Sequence, residues 1–250
     1  MIELIDLHKS FGTQRVLRGV NLTIPDGKIT VILGPSGTGK TVLLRHIIRL
    51  VLPDRGTIRV DGVEMGKLKS QELNEFRKRF GMLFQQAALF DSLTVEENVA
   101  FPLVEHFKER DPVRVAATVR KKLELVGLAE AIHKMPSELS GGMRKRVGLA
   151  RAIVLEPKII LYDEPTTGLD PITAAAIDNL ILSMQKTFSV TSVIISHDVV
   201  SAFRVADQVA MLHDGCIVEC GAPKDFQRSD HPVVREFLKA AHVVNGEVHR

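Results

Sequence analysis

The feature that most limits how this chain can fold is a junction, in which ITVIL (Ile29 to Leu33) runs directly into GPSGTGKT (Gly34 to Thr41). A short, mostly apolar and β-branched run reads as a strand buried on both faces. The glycines that follow permit tight backbone angles and close approach of a ligand to the main chain, and an amphipathic helix begins near Lys40. In that order, successive loop N–H groups point inward and the helix N-terminus adds about half a positive charge. A glycine-rich surface turn would need neither the strand before it nor the helix after it. Gly34, Pro35, Ser36, Gly37, Thr38, Gly39, Lys40 and Thr41 are therefore candidates to hold the phosphates of a nucleotide. Lys40 would neutralise the β- and γ-phosphates and the Thr41 hydroxyl would complete part of a Mg²⁺ shell.

The rest of the chain supplies a frame for this junction. Upstream, Val20, Leu22 and Ile24 alternate before a turn at Pro25-Asp26-Gly27, and TIRVDGV (Thr57 to Val63) repeats the pattern, so the first third reads as strands and turns. From about residue 92 to 156 the period becomes helical. Thr94 with Glu97 forms a capping box, and Asp111-Pro112 starts a helix that stops near Gly127. Strand and helix then alternate through KIILY (Lys158 to Tyr162), a helix from Ile172 to Lys186, VTSVIIS and a short helix capped by Asp198, which implies a parallel sheet covered on both faces. Gln208 to Cys220, hinged at Asp214-Gly215, reads as a hairpin, and a last short helix starts at Pro232 before a polar, loose end. Cys216 and Cys220 are one residue too far apart for CxxC and fall on one side of a strand, as buried core thiols.

Composition excludes several classes. The 250 residues carry a formal charge of only +3, which gives no reason to expect nucleic acid as a partner. Apolar runs stop far short of the roughly 20 residues that cross a bilayer. The start, MIELIDLHKSF, does not read as a secretion signal, so the expected compartment is the cytoplasm.

Two further strand ends bring chemistry. YDEP (Tyr162 to Pro165) closes KIILY with two acids, and the carboxyl ends of parallel strands face the ligand crevice. Asp163 is assigned to Mg²⁺ and Glu164 to the attacking water as general base. His197, after VIIS, ends another buried strand at the same edge, where its imidazole could hydrogen-bond a γ-phosphate.

LSGGM (Leu139 to Met143) opens a helix patterned from Gly141 to Leu155. Ser140, Gly141 and Gly142 form its first turn, whose unpaired N–H groups attract anions. Arg144, Lys145 and Arg146 read as a solvated helix face. With one P-loop per chain, a second phosphate cradle must serve a nucleotide carried by another copy, so the expectation is a head-to-tail homodimer with ATP at the seam.

At this point the chain, from about Ile2 to Phe237, resembles the ATPase subunits of ABC transporters. GPSGTGKT resembles Walker A, FQQ (Phe84 to Gln86) the Q-loop, LSGGM the signature, IILYDEP Walker B, TTGLD (Thr166 to Asp170) the D-loop and SHD the H-loop. The resemblance implies a RecA-like P-loop NTPase core of α/β class with an N-terminal antiparallel β subdomain and an inserted α-helical subdomain. The β subdomain and core would take about 1–91 and 157–225, the helical subdomain 92–156, and a tail 238–250. It also implies that Gln85 contacts Mg²⁺ and senses the nucleophile, that Phe11 stacks on adenine, and that Ser140 with Gly142 caps the γ-phosphate across the dimer. Asp170 joins the nucleotide site from the D-loop. Met143 stands where glutamine is usual, Phe11 where tyrosine is common and Gly168 where alanine is frequent; none of these removes a group that performs the chemistry.

A finer resemblance lies in QQAALFDSLTVEENVAFPLVEH (Gln85 to His106) together with LSGGMRKRVGLARAI. Both are similar to the ATPases of Mce/Mla-type lipid transport systems, where an aspartate such as Asp91 follows ALF and methionine follows LSGG. This implies an ATPase at the cytoplasmic face of the inner membrane, a separate membrane permease, and an Mce-domain lipid-binding protein as a further partner. Amino-acid or other small-solute importers, and non-transport ABC ATPases or tethers, are the alternatives at this level.

Overall fold

A computed structural model describes residues 1–107, 111–241, 243–244 and 247–248. In chain order the elements are β1 (Ile2–Phe11), β2 (Gln14–Ile24), β3 (Ile29–Leu33), α1 (Lys40–Ile47), β4 (Arg55–Val60), β5 (Val63–Glu64), α2 (Ser70–Arg77) and β6 (Phe80–Leu83). Next come α3 (Val95–Phe107), α4 (Pro112–Leu125), α5 (Gly141–Ala152), β7 (Ile159–Asp163), α6 (Pro171–Phe188), β8 (Thr191–Ser196) and α7 (Val199–Val205). The chain closes with β9 (Gln208–His213), β10 (Cys216–Gly221), α8 (Pro223–Gln227), α9 (Pro232–Ala240), β11 (Val243–Val244) and β12 (Glu247–Val248).

Two of the three sheets among the described residues frame the site. One has the order β2-β1-β4-β5 and is antiparallel throughout. The other has the order β10-β9-β3-β8-β7-β6; its strands from β9 to β6 are parallel and β10 is an antiparallel edge. Every residue of β3, β7 and β8 is buried, as strands covered on both faces require. Apolar residues on one face of the large sheet meet α1 and the antiparallel sheet; those on the other meet α3 to α7 in a second core. This is the α/β P-loop NTPase architecture, with an antiparallel β layer and a helical segment.

The expected start signals are made as hydrogen bonds. Glu97 accepts from both the backbone N–H and the hydroxyl of Thr94 at the head of α3, and Asp111 caps α4 with Pro112 in its first turn. Asp198 caps α7 in the same way.

Three expectations need correction or completion. The first third is not only strands and turns, because α2 lies between β5 and β6. Its N-cap position is Lys69, which lacks a capping side chain, and Glu72 reaches back to the Lys69 N–H instead, so the usual start residue is missing. The two thiols are not core residues: Cys216 is half-buried and Cys220 exposed. They lie on the sheet's edge strand, where a register shift between Ile217 and Glu219 breaks the alternation that parity assumed. At the chain end α9 runs to Ala240 and β11 pairs with β12. The loose polar end expected there falls largely on 242, 245–246 and 249–250, which lie outside the described residues.

Candidate active site

The sheet order explains how distant motifs meet. β3, β8, β7 and β6 are neighbours and parallel, so their carboxyl ends lie along one edge. β3 delivers the loop Gly34 to Thr41, β8 delivers His197, β7 delivers Asp163 and Glu164, and β6 delivers Gln85.

The loop is shaped by close packing. A Cβ on Gly34 would lie 2.4 Å from the Leu212 carbonyl oxygen, and one on Gly39, whose φ is +98°, would lie 2.7 Å from Val16 Cγ1. Pro35, Ser36 and Gly37 are exposed, and Thr38 Oγ1 donates to the Pro35 carbonyl at 2.9 Å. No side chain caps α1, so the N–H groups of its first turn remain available to an anion. Lys40 is buried and donates to the Gly34 and Pro35 carbonyls at 2.7 and 2.8 Å. Burial lowers the Lys40 pKa, opposed by the nearby charges of Glu164 and Asp163.

Thr41 Oγ1 donates to Asp163 Oδ1 at 3.2 Å. Burial raises the Asp163 pKa while the Thr41 hydroxyl lowers it and the adjacent Glu164 charge raises it again. Glu164 follows β7 in a left-handed backbone conformation, φ +48°, with its N–H on the Ile195 carbonyl at 3.0 Å. Its carboxylate accepts from Gln85 Nε2 at 3.3 Å and Thr167 Oγ1 at 2.9 Å, and faces His197 Nδ1 at 3.3 Å. The Gln85 side-chain carbonyl is thereby left to a cation or water.

Other predicted residues flank this cluster without joining its hydrogen bonds. Ser140 is exposed and caps α5, accepting from the Met143 N–H at 3.3 Å, which leaves its own O–H to donate elsewhere. Gly141 lines a cleft of about 680 Å³ with Gln85, Lys145, Thr167 and Leu169, and none of the loop residues Gly34 to Thr41 lines it. Gly142 is buried against α6. Asp170 spends one oxygen on capping α6, accepting from the Ile172 and Thr173 N–H groups at 3.0 Å each. Phe11, 49% exposed, ends β1 with its ring facing solvent and Lys9 over it at 5.4 Å.

The basic run needs correction. Arg144 is exposed but Lys145 is only 5% exposed, and its ammonium donates to the Glu164 main-chain carbonyl at 3.0 Å. Burial lowers its pKa to about 8, with Asp163 and Glu164 opposing. Helical spacing could have revealed this, because Gly142, Lys145, Leu149 and Ala152 fall on one buried face. Thr167 was also missed; it lies three residues beyond Glu164, within reach of that carboxylate. A third unforeseen contact is Arg151, which donates to the Ala87 and Ala88 carbonyls just after Gln85, at 2.6 and 2.8 Å.

A glycine loop at the carboxyl edge of a parallel sheet, beside paired acids and an oriented carboxylate, defines a P-loop nucleotide hydrolase. Residues 17–167 match the ABC transporter family. The chain is 46% identical over 97% of its length, and 67% of the relative's, to the probable ribonucleotide transport ATP-binding protein mkl of Mycobacterium tuberculosis. It is 44% identical to the intermembrane phospholipid transport system ATP-binding protein MlaF of Escherichia coli, over 95% of this chain and 88% of that one. A dimeric ATP-binding cassette in a post-hydrolysis state, bound to ADP and Pi, superposes with a TM-score of 0.81 at 32% identity, covering 89% of this chain and 99% of that chain. The chain belongs to the ABC transporter family, and it is an ATPase of that type.

Proposed function

We propose that this chain powers phospholipid movement between membranes through a separate permease, as two copies close around ATP and part after hydrolysis. The observation that carries the mechanism is the Glu164 carboxylate, held by Gln85 and Thr167 and facing His197 at the edge that also bears the loop Gly34 to Thr41. The cargo reading is supported by the similarity to MlaF, which extends over most of both chains. The mkl relative is named for ribonucleotide transport, so cargo is the part that experiment must separate.

The residues divide the work as follows. Loop N–H groups and Lys40 grip the triphosphate, and Phe11 offers its exposed ring to the adenine. Thr41, Asp163 and the Gln85 carbonyl make an oxygen-only donor set, which suits Mg²⁺. When bound, that ion would neutralise charge on the β- and γ-phosphates. Glu164 takes the proton of the attacking water and His197 donates toward the γ-phosphate. Ser140, Gly141 and Gly142 of one copy cap the nucleotide held by the other, and Asp170 sets the D-loop at the seam by capping α6.

Residues 1–91 and 157–225 then act as β subdomain and core, 92–156 as the helical arm, and 238–250 as a tail. A groove of about 330 Å³ lined by Phe80, Met82, Phe84, Phe90, Phe101 and His106 is the seat for a cytoplasmic helix of the permease. Three of those phenylalanines are exposed, which fits a covered surface in the assembly. Among the described residues no helix is long and apolar enough to cross a membrane. The similarity to MlaF supports work at the inner membrane's cytoplasmic face through that permease, with an Mce-domain lipid-binding protein completing the assembly.

Glu164→Gln should accumulate an ATP-loaded dimer with hydrolysis reduced about 10²- to 10⁴-fold. Adding Ser140→Arg should leave ATP on a monomer; dimers forming as before would refute the shared site. Co-purification from native membranes tests the cargo: a lipid-binding partner and phospholipid support it, and a nucleotide or amino-acid permease refutes it.

A further inference from the structure

Lys145 presents a problem that the proposed chemistry does not solve. A buried ammonium is expensive to desolvate, and a methionine would fill the same space without that penalty. Yet Lys145, 5% exposed and near the charges of Asp163 and Glu164, gives its hydrogen bond to a main-chain atom, the Glu164 carbonyl oxygen, at 3.0 Å. That carbonyl belongs to a residue in left-handed conformation, which costs an L-amino acid energy and persists only when neighbours hold it. Among the described residues its only other bond is a long one, from the Thr167 N–H at 3.4 Å.

The position of Lys145 on α5 gives the contact its meaning. Gly141, one helical turn earlier, belongs to the start that faces the second copy's nucleotide. Toward the other end Arg151 grips the Ala87 and Ala88 carbonyls, both in positive-φ residues just beyond Gln85. One rigid helix thus touches the trans cap, the general base and the segment after Gln85.

We infer that Lys145 is a positioning residue through which α5 couples the two ATP sites: when the helix start engages the second copy's nucleotide, Lys145 sets the backbone of Glu164 for attack at its own. This rests on the reading of Glu164 as base and of Ser140 to Gly142 as trans cap. Docking of one site then aligns the base of the other, so turnover rises cooperatively with ATP.

The test is steady-state ATP hydrolysis across ATP concentration for the full chain and for Lys145→Met, Lys145→Ala and Lys145→Gln, with urea unfolding to check the fold. Methionine keeps the volume but lacks a donor; alanine leaves room for water; glutamine can donate one N–H to the carbonyl. The expected result for Met and Ala is a fall in kcat on the order of tenfold, with KM changed less than about twofold and the Hill coefficient falling from above one toward one. Glutamine should recover most of kcat. In Glu164→Gln, adding Lys145→Met should lower the residual rate no further, because the two act as one unit. Unchanged kcat, a failure of glutamine to rescue, an additive loss in the double variant, or a wild-type Hill coefficient of one would each overturn the inference. So would loss of folding in all three variants, which would mark Lys145 as structural. Ordinary turnover in Glu164→Gln alone would instead sink the base assignment, a separate failure.

Discussion

Gly142→Ala tests how tightly α5 is set against α6, and its effect follows from two distances. A Cβ at Gly142 would lie 2.4 Å from Thr173 Cγ2, whereas the next atom, Thr173 Cβ, would be an ordinary 3.8 Å away. Non-bonded carbons prefer about 3.5 to 4.0 Å, so the methyl must give way by about 1 Å or more. Threonine is stiff about χ1 in a helix, and Thr173 lies in the first turn of α6, where its N–H is held by Asp170. Either the rotamer changes or α5 backs away, an overpacking cost of about 1 to 3 kcal/mol. Replacing glycine returns at most about 1 kcal/mol of helix propensity, and less in a first turn. The net expectation is a loss of about 1 to 2 kcal/mol, read as a lower urea midpoint at unchanged slope in nucleotide-free protein. Gly141→Ala, whose nearest neighbour is Leu169 Cδ2 at 3.5 Å, serves as the control and should leave the midpoint near wild type. Thr173→Ala should restore most of the loss in the double variant, as a coupling term of about 1 kcal/mol or more in a double-mutant cycle. A Gly142→Ala protein that unfolds at the wild-type midpoint, or a double variant with no recovery, would refute the packing argument.

Thr167→Val removes the 2.9 Å hydroxyl bond to Glu164 while keeping shape, and should lower kcat about three- to tenfold at unchanged ATP affinity by initial-rate kinetics. Asn98, fully buried at the start of α3, accepts from the Phe90 N–H, and its two amide N–H groups are shared among the Phe90, Leu93 and Thr94 carbonyls. Asn98→Ala takes the partner from the Phe90 N–H and the Leu93 carbonyl, while the Phe90 and Thr94 carbonyls keep their bonds from the Leu93 and Asn98 N–H groups, and should cost about 2 to 3 kcal/mol in urea unfolding. Hydrogen bonds from the Thr94 N–H and hydroxyl lower the Glu97 pKa below its ordinary 4.5. Its contribution is therefore present above the unfolded-state pKa and lost as pH falls through the folded one. The protection factors of amides in the first turn of α3, corrected for the pH dependence of intrinsic exchange, should fall on acidification through that window, more in wild type than in Glu97→Gln.

Much of this was legible because local chemistry and tertiary role agree. ITVIL could only be an interior strand, and Thr94, Asp111 and Asp198 announce helices through side chains that cap them in the fold. Where a contact is made by an unusual residue, sequence gave little warning. α2 starts at a lysine, and β6 is a four-residue edge strand of the large sheet with only two residues buried. Lys145 reads as solvated by charge alone, although helical spacing places it inward. The cysteines reverse the error: their hydrophobic character suggested a core, but the edge position of β10 decided their exposure. The meeting of Gln85, Glu164 and His197 depends on strand order, which no local pattern encodes; family resemblance supplied it.

The claim on which all else depends is that each nucleotide is enclosed by two copies of this chain. Its most direct measurement is the structure of Glu164→Gln saturated with ATP and magnesium. The expected result is a two-fold dimer in which the Ser140 hydroxyl and Gly142 N–H of one copy lie within hydrogen-bond distance of the γ-phosphate gripped by Lys40 of the other. A nucleotide enclosed by a single chain, with both α5 starts open to water, would contradict it.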